Sequence, residues 1–145
     1  MFIGEYNYSI DNKGRVVIPS EFRPELGEVM YLGRGLDKCL FVFDEEECKL
    51  LQQKYAALSD LNENARNLKR LIFSGMVKVS PDGQGRIKVT PPLMQYAEIK
   101  KEVVIIGAES RVEIWAKELW DKLMTEKGND IGALAEIIDS KANRI

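Results

Sequence analysis

The sequence contains no histidine, and this absence limits the chemistry open to the protein. Ser-His-Asp and Cys-His catalysis are excluded, and so is any zinc site that needs an imidazole ligand. The two cysteines, Cys39 and Cys48, are too few for a disulfide framework and too widely spaced for a Cys-x-x-Cys redox or zinc pair. A phosphate-binding glycine loop is also missing. We therefore expect no enzyme, no catalytic residue, no metal site and no cofactor.

Long apolar runs and a strong charge of one sign are missing as well. No apolar run approaches the roughly 20 residues that cross a bilayer, and the N-terminus lacks the pattern of a secretory signal. We therefore expect a cytoplasmic protein without a membrane partner. The formal net charge is −2, so any nucleic-acid binding must come from a local basic patch. Apolar residues make up 45% of the 145 positions, which is enough for a packed core.

What the sequence does contain is an internal duplication. Residues 6–18 read YNYSIDNKGRVVI and residues 77–89 read VKVSPDGQGRIKV, so each copy has Asp-x-x-Gly-Arg between two alternating apolar runs. Apolar runs follow at 29–32 and 103–106, and each run ends at a glycine. Asp-x-x-Gly between alternating runs predicts a hairpin, because glycine supplies the positive φ of a tight turn.

The alternation also predicts which side chains of each copy face the core. In a strand, successive side chains point to opposite faces, so the basic residues of both runs fall on the outward face. The predicted core-facing residues are Val16, Ile18, Ile87 and Val89. Arg15, Arg86 and Lys88 then face away from the core.

Helices are predicted around the strands. The acidic run Asp44–Glu47 has capping-box spacing, and a helix dipole favours carboxylates there, so we interpret the run as a helix start rather than a metal site. Apolar spacing predicts further helices at 62–73 and 130–141. Trp115 and Trp120 have core spacing and are predicted to pack rather than to stack on bases.

The duplication divides the chain into two modules and two helical parts. The predicted ranges are a first module at 5–47, a helical connection at 48–75, a second module at 76–119 and C-terminal helices at 120–145. A copy of about 50 residues buries little core alone. We therefore expect the two copies to share one barrel around a pseudo-two-fold axis.

The two loop motifs resemble a known family. Asp11-Asn12-Lys13-Gly14-Arg15 and Asp82-Gly83-Gln84-Gly85-Arg86 are similar to the paired Asp-x-x-x-Arg motifs of the MraZ family. The opening Phe2-x-Gly4, the Gly-Arg-Val-x-Ile-Pro run at 14–19 and the chain length also fit. The resemblance implies a mainly β fold with flanking helices. In the implied fold, two AbrB/MraZ-type modules of the same chain form a swapped-hairpin (double-split) β-barrel, which is an intrachain pseudo-dimer.

The resemblance also implies a function. MraZ proteins are bacterial transcriptional regulators that bind repeated elements in the promoter of the division and cell-wall gene cluster, assemble as rings and associate with the nucleoid. The implied partners are double-stranded DNA and further copies of the same chain in a ring-shaped homo-oligomer. The alternative is a non-enzymatic protein-binding module, such as the antitoxin-like partner of another protein. That alternative predicts a sizeable exposed apolar patch.

Arg15 is the first candidate for contact with DNA. A two-stranded ribbon fits the major groove, and arginine recognises guanine with two parallel hydrogen bonds. The alternative is an ion pair with Asp11 that fixes the loop, although an exposed pair contributes only ~0–1 kcal/mol. The candidate DNA-binding residues are Lys13, Arg15, Arg86, Lys88 and Asn12. The residues expected to orient the motif are Asp11, Gly14, Asp82 and Gly85.

Overall fold

The computed structural model describes residues 1–142, and within them the chain forms eight strands and six helices. The strands are β1 (Glu5–Ser9), β2 (Arg15–Val17), β3 (Met30–Arg34), β4 (Leu40–Phe43), β5 (Val77–Val79), β6 (Arg86–Lys88), β7 (Glu102–Gly107) and β8 (Val112–Ala116). The helices are α1 (Arg23–Leu26), α2 (Glu45–Ala56), α3 (Glu63–Gly75), α4 (Pro91–Tyr96), α5 (Lys117–Lys127) and α6 (Ile131–Ala142). Residues 143–145, the end of the predicted range 120–145, lie outside the described residues. None of the helices in the described residues has the length and apolarity that a membrane span requires.

The two copies exchange strands. Six strands form one antiparallel sheet in the order β1-β7-β8-β4-β3-β5, and β2 pairs with β6 in a separate ribbon. The first strand of each copy therefore lies against the third strand of the other copy, as β1 on β7 and β5 on β3. The prediction that the runs beside each Asp-x-x-Gly turn pair with each other was wrong. The turn forms, but β1 and β2 leave it for different sheets, because the other copy supplies the partner for each strand.

The register of the central strands has two-fold symmetry. In the β2–β6 ribbon Val16 lies opposite Ile87, its counterpart in the duplication. In the large sheet β4 pairs antiparallel with β8, and Phe41 lies opposite its counterpart Glu113. A pseudo-two-fold axis therefore passes through both pairs. The predicted fold class, mainly β with flanking helices and two modules in an intrachain pseudo-dimer, is confirmed.

The core is shared by both copies. The four residues predicted to face it are buried, each with at most 2% of its surface exposed: Val16, Ile18, Ile87 and Val89. A second apolar cluster on the other side of the sheet joins Phe41, Phe43 and Trp115, with Trp120 packed against them. Every residue of β4 and β8 is buried, because the large sheet is covered on both faces. The prediction that the two tryptophans pack is confirmed.

The helix starts follow the sequence signals. Asp44 caps α2, where its Oδ1 accepts a hydrogen bond from the backbone N–H of Glu47 at 2.7 Å. This confirms that the acidic run begins a helix. Asn62 caps α3 in the same way, accepting from the N–H of Ala65 at 3.2 Å. The predicted segment 130–141 is α6, shifted by one residue at each end.

Both cysteines are free thiols. Burial raises the pKa of the Cys39 thiol far above its usual value, and burial also raises the pKa of the Cys48 thiol. Both raised pKa values favour the neutral thiol at neutral pH.

Candidate nucleic-acid interface

Two loops of nearly identical geometry lie at the ends of the β2–β6 ribbon. Loop 1 is Asp11–Arg15 and loop 2 is Asp82–Arg86. In loop 1 the N–H of Asp11 donates to the carbonyl of Arg15 at 2.9 Å, and the N–H of Gly14 donates to the carbonyl of Asp11 at 3.0 Å. Loop 2 repeats both bonds with distances of 2.9 Å. The sequence repeat is therefore also a repeat of local structure.

The aspartate of each loop binds three donors. In loop 1 the carboxylate of Asp11 accepts from the N–H of Lys13 at 2.9 Å, the N–H of Arg15 at 2.8 Å and the Nε of Arg15 at 2.7 Å. In loop 2 the carboxylate of Asp82 binds the corresponding donors of Gln84 and Arg86 at 2.8–2.9 Å. The spacing of the motif has a direct cause, because an aspartate at the first position reaches both the backbone and the side chain of the fifth.

These bonds lower the pKa of both carboxyl groups. For Asp11 the largest cause is the backbone N–H of Arg15, and partial loss of solvent works against it; the side chain of Arg15 adds to the lowering. For Asp82 the backbone N–H of Arg86 is the largest cause. Both aspartates are therefore ionised at neutral pH and hold their arginines as ion pairs.

A glycine in each loop adopts a left-handed conformation. The φ of Gly14 is 77° and that of Gly85 is 75°, which is the positive φ that the Asp-x-x-Gly pattern predicted. The carbonyl of Gly14 accepts from the N–H of Val89 at 2.7 Å, and the carbonyl of Gly85 accepts from the N–H of Ile18 at 2.9 Å. Each loop is thus tied to the strand of the other copy.

The ribbon brings the basic side chains together. Arg15 lies directly opposite Lys88, and Val17 lies opposite Arg86. Cross-strand partners in an antiparallel pair project from the same face. Since Val16 and Ile87 fill the core face, the basic side chains lie on the outward face. Sequence reasoning placed Arg15, Arg86 and Lys88 on this face, and the register adds that they belong to a single ribbon.

The arginines keep part of their hydrogen-bonding capacity. About a third of the Arg15 side chain and a quarter of the Arg86 side chain is exposed. Each uses its Nε for the aspartate, and within residues 1–142 its two Nη groups have no further hydrogen bond or ion pair. A guanidinium held in this way presents donors to an acceptor outside the protein, such as a phosphate or a guanine edge.

The remaining candidate residues lie beside loop 1. Asn12 and Lys13 line a surface cleft of about 370 Å³ together with Lys88 and Met94. Lys13 and Lys88 are exposed, and neither forms an ion pair among the described residues. Loop 2 has no lysine, because Gln84 occupies the position that corresponds to Lys13.

Sequence reasoning missed one basic residue of this surface. Arg23, the first residue of α1, lies against Gly85 of loop 2, so closely that a Cβ on that glycine would overlap its guanidinium. In the duplication Arg23 corresponds to Met94, which lies beside Gly14 in the same way. Arg23 can be found from the sequence when the alignment of the two copies is extended into the short helices α1 and α4.

Two interlocked modules with an Asp–Arg loop at each end of a shared ribbon define a fused swapped-hairpin pseudo-dimer. A family model described as "MraZ protein, putative antitoxin-like" matches the chain twice, at residues 1–71 and 72–136. The chain therefore belongs to the MraZ family.

Curated relatives agree with this assignment over most of the chain. A protein of Clostridium acetobutylicum named Transcriptional regulator MraZ is 48% identical over 136 residues, covering 94% of this chain and 95% of the relative. Proteins of the same name from Carboxydothermus hydrogenoformans and Clostridium tetani are 49% and 47% identical, and cover 83% and 84% of this chain and 85% and 86% of their own length.

Proposed function

We propose that this chain is a sequence-specific, DNA-binding transcription regulator that acts by binding rather than by catalysis. The observation that carries the proposal is the register of the ribbon, which places Arg15 beside Lys88 and Arg86 on one outward face. The relatives named Transcriptional regulator MraZ support the same role. In a chain with a net charge of −2, this local group of cations is the surface suited to a polyanion.

The loops have separate tasks in this proposal. Asp11 and Asp82 fix the direction of Arg15 and Arg86, so that each guanidinium approaches DNA with its Nη groups. Lys13, Lys88 and Asn12 provide contacts around loop 1, with the lysines on phosphates and the amide within reach of a base. Phosphate contacts position a protein on the duplex, whereas base contacts determine sequence preference.

We further propose that the target is the promoter of the division and cell-wall gene cluster, which includes the chain's own promoter, and that the protein associates with the nucleoid. One chain presents one short ribbon, which has room for few base contacts. Repeated promoter elements contacted by linked subunits give avidity without new chemistry.

The proposed assembly is a ring of identical chains. The C-terminal helix α6 exposes a row of apolar side chains with 41–74% of their surface accessible: Ile131, Leu134, Ile137 and Ile138. Apolar residues repeated at helical spacing on an exposed face are typical of a protein contact. A head-to-tail contact between identical chains closes into a ring when the rotation between them permits.

The same exposed row supports the second candidate, a module that binds another protein. The family description contains the words "antitoxin-like", and an apolar helix face suits a protein partner. The two candidate functions differ in the role of the ribbon. A DNA-binding regulator needs Arg15 and Arg86 to bind DNA, whereas a protein-binding module does not.

The test is DNA binding by matched arginine variants. The full chain is titrated onto a duplex from the region upstream of its own coding sequence, and onto a random duplex of equal length. Arg15→Ala and Arg86→Ala are expected to weaken specific binding by 5- to 150-fold, which corresponds to ~1–3 kcal/mol of discrimination. Arg70→Ala is the control, because Arg70 bonds Asn67 on its own helix, away from the ribbon.

The stability of each variant separates contact from folding. About a third of each side chain of the Asp11–Arg15 pair is exposed, so losing the pair should cost about 1 kcal/mol and Arg15→Ala should keep nearly the wild-type urea midpoint. Normal DNA binding by both ribbon variants would overturn the proposed interface. Loss of binding together with unfolding would favour a structural role for the Asp–Arg pairs.

A further inference from the structure

Arg23 is the arginine of this surface that has no ion pair or side-chain hydrogen bond within residues 1–142. Its Nε atom is buried and has no hydrogen-bond partner in that part of the chain. Every other arginine in residues 1–142 has a side-chain hydrogen bond: Arg15, Arg34, Arg66, Arg70, Arg86 and Arg111. A buried donor without a partner costs free energy, typically ~1–3 kcal/mol and more for a charged group. The Nη groups of Arg23 are not buried in this way, so an anion that binds them would supply the counter-charge that the guanidinium lacks among residues 1–142.

The position of Arg23 is fixed by loop 2. Its guanidinium lies against Gly85, and Arg23 also lines a cleft of about 430 Å³ with Gly27, Glu28 and Ser80. Glu28 is the acidic side chain of that cleft, yet it forms no ion pair with Arg23. The guanidinium of Arg23 therefore lies beside loop 2, which contains Arg86. No carboxylate within residues 1–142 forms an ion pair with Arg23.

The two ends of the ribbon carry their extra cation in different places. Loop 1 has Lys13 in the loop and Met94 beside its glycine, with the Sδ atom 3.8 Å from the position of a Cβ on Gly14. Loop 2 has Gln84 in the loop and Arg23 beside its glycine. Each loop therefore has one additional cation near it, although Lys13 lies within loop 1 and Arg23 reaches loop 2 from α1.

We propose that Arg23 binds a phosphate of the DNA backbone beside loop 2. This is the same kind of contact as the one proposed for Lys13 in loop 1. The proposal rests on the proposed function, because it adds a contact to the same ribbon. From Gly14 to Ile18 the strand spans about 13 Å at ~3.3 Å per residue, which is close to the ~12 Å width of the major groove. With a cation at each loop, the ribbon is held by the phosphate backbone at both of its ends.

The experiment measures how salt affects DNA affinity. Fluorescence anisotropy follows binding of the full chain to the upstream duplex and to the random duplex at several KCl concentrations. Arg23→Gln should reduce the slope of log affinity against log salt by about 0.9 per subunit on the DNA. It should weaken both duplexes by the same factor, because a phosphate contact carries no sequence information. Lys122→Gln on α5 removes the same charge away from the ribbon and should leave the slope unchanged.

Two further variants separate charge from packing. Arg23→Lys keeps a phosphate-binding cation and should restore the slope, whereas Arg23→Met installs the residue of copy two and should behave like Arg23→Gln. Wild-type binding by Arg23→Met would overturn the proposal and make Arg23 a packing residue. A loss confined to the upstream duplex would overturn it too, because the contact would then recognise sequence.

The Arg15 variant distinguishes this proposal from the proposed function. If Arg15→Ala weakens binding and Arg23→Gln leaves affinity and slope unchanged, the Arg23 proposal alone is overturned. If the wild-type chain binds neither duplex, both proposals are overturned.

Discussion

A glycine series tests whether the ribbon is locked through its loops. Gly14 combines a φ of 77° with a close neighbour, since a Cβ there would lie 2.9 Å from the carbonyl oxygen of Val89. Gly27 has a φ of 81° with a ψ of −173°, which is a conformation that essentially only glycine adopts, and Gly83 has no positive φ. Within residues 1–142, no atom beyond the adjacent residues lies within 4 Å of a Cβ at either glycine. Gly14→Ala therefore introduces both backbone strain and a collision. Gly27→Ala introduces backbone strain alone, and Gly83→Ala introduces neither.

The expected magnitudes differ among the three sites. A left-handed alanine costs roughly 1–2 kcal/mol, and a weakened bond from Val89 to Gly14 adds ~0.5–1.5 kcal/mol. Alanine also restricts the unfolded chain, which offsets ~0.4–1 kcal/mol. We expect Gly14→Ala to lower the free energy of unfolding by about 1–3 kcal/mol. Gly27→Ala should lower it by roughly 1–2 kcal/mol through backbone strain without a collision. Gly83→Ala should be neutral, or stabilising by up to ~1 kcal/mol.

Urea unfolding followed by tryptophan fluorescence measures the series. One protein concentration is used throughout, because self-association raises apparent stability by mass action. If Gly14→Ala is as mild as Gly83→Ala, the bond between loop 1 and Val89 does not hold the ribbon, and the reasoning is refuted.

Two other predictions concern pH and mass. The pKa values of Asp11 and Asp82 are lower in the folded chain than their ordinary value of 3.8, so their contribution to stability is complete above that value and is lost as pH falls through the folded pKa values. The double variant Asp11→Asn, Asp82→Asn should therefore lose less stability than the wild type between about pH 4 and pH 2 in urea titrations, and an equal loss would contradict the argument. Light scattering should give a mass several times the chain's 16.5 kDa, and Ile137→Asp together with Ile138→Asp should reduce it; a wild-type monomer would rule out the ring.

The loops and the strand faces could be predicted because their causes are local. The hydrogen bonds that shape loop 1 internally lie within five consecutive residues, so the spacing Asp-x-x-Gly-Arg was enough to predict the turn. The bond from the N–H of Val89 to the carbonyl of Gly14 was not predicted. Val16 and Ile87 were placed in the core by alternation alone, and the cap at Asp44 by its distance from Glu47. Each of these predictions used a spacing within a few consecutive residues.

The strand partners could not be predicted in the same way. The runs at 29–32 and 103–106 both end at glycines, yet the ladders make Leu32 equivalent to Ile105, so that Gly33 corresponds to Ile106 rather than to Gly107. Counting along the chain misses this shift, because cross-strand packing sets the register. Arg23 was missed for a related reason, since its closeness to Gly85 exists only after β2 has paired with β6.

The exchange of strands has a consequence for the order of folding during synthesis. Ser9 pairs with Glu102, 93 residues further along the chain. At a synthesis rate of 5–20 residues per second, β1 waits roughly 5 to 20 s for its partner strand to be made. During that interval its backbone donors and acceptors have no native ladder, and Tyr6 and Tyr8 have no β7 to pack beside. Among the strands of residues 1–142, β1 therefore waits longest for its partner, and we expect it to stay open to capture by a chaperone, or by a neighbouring copy that already carries β7, during that time.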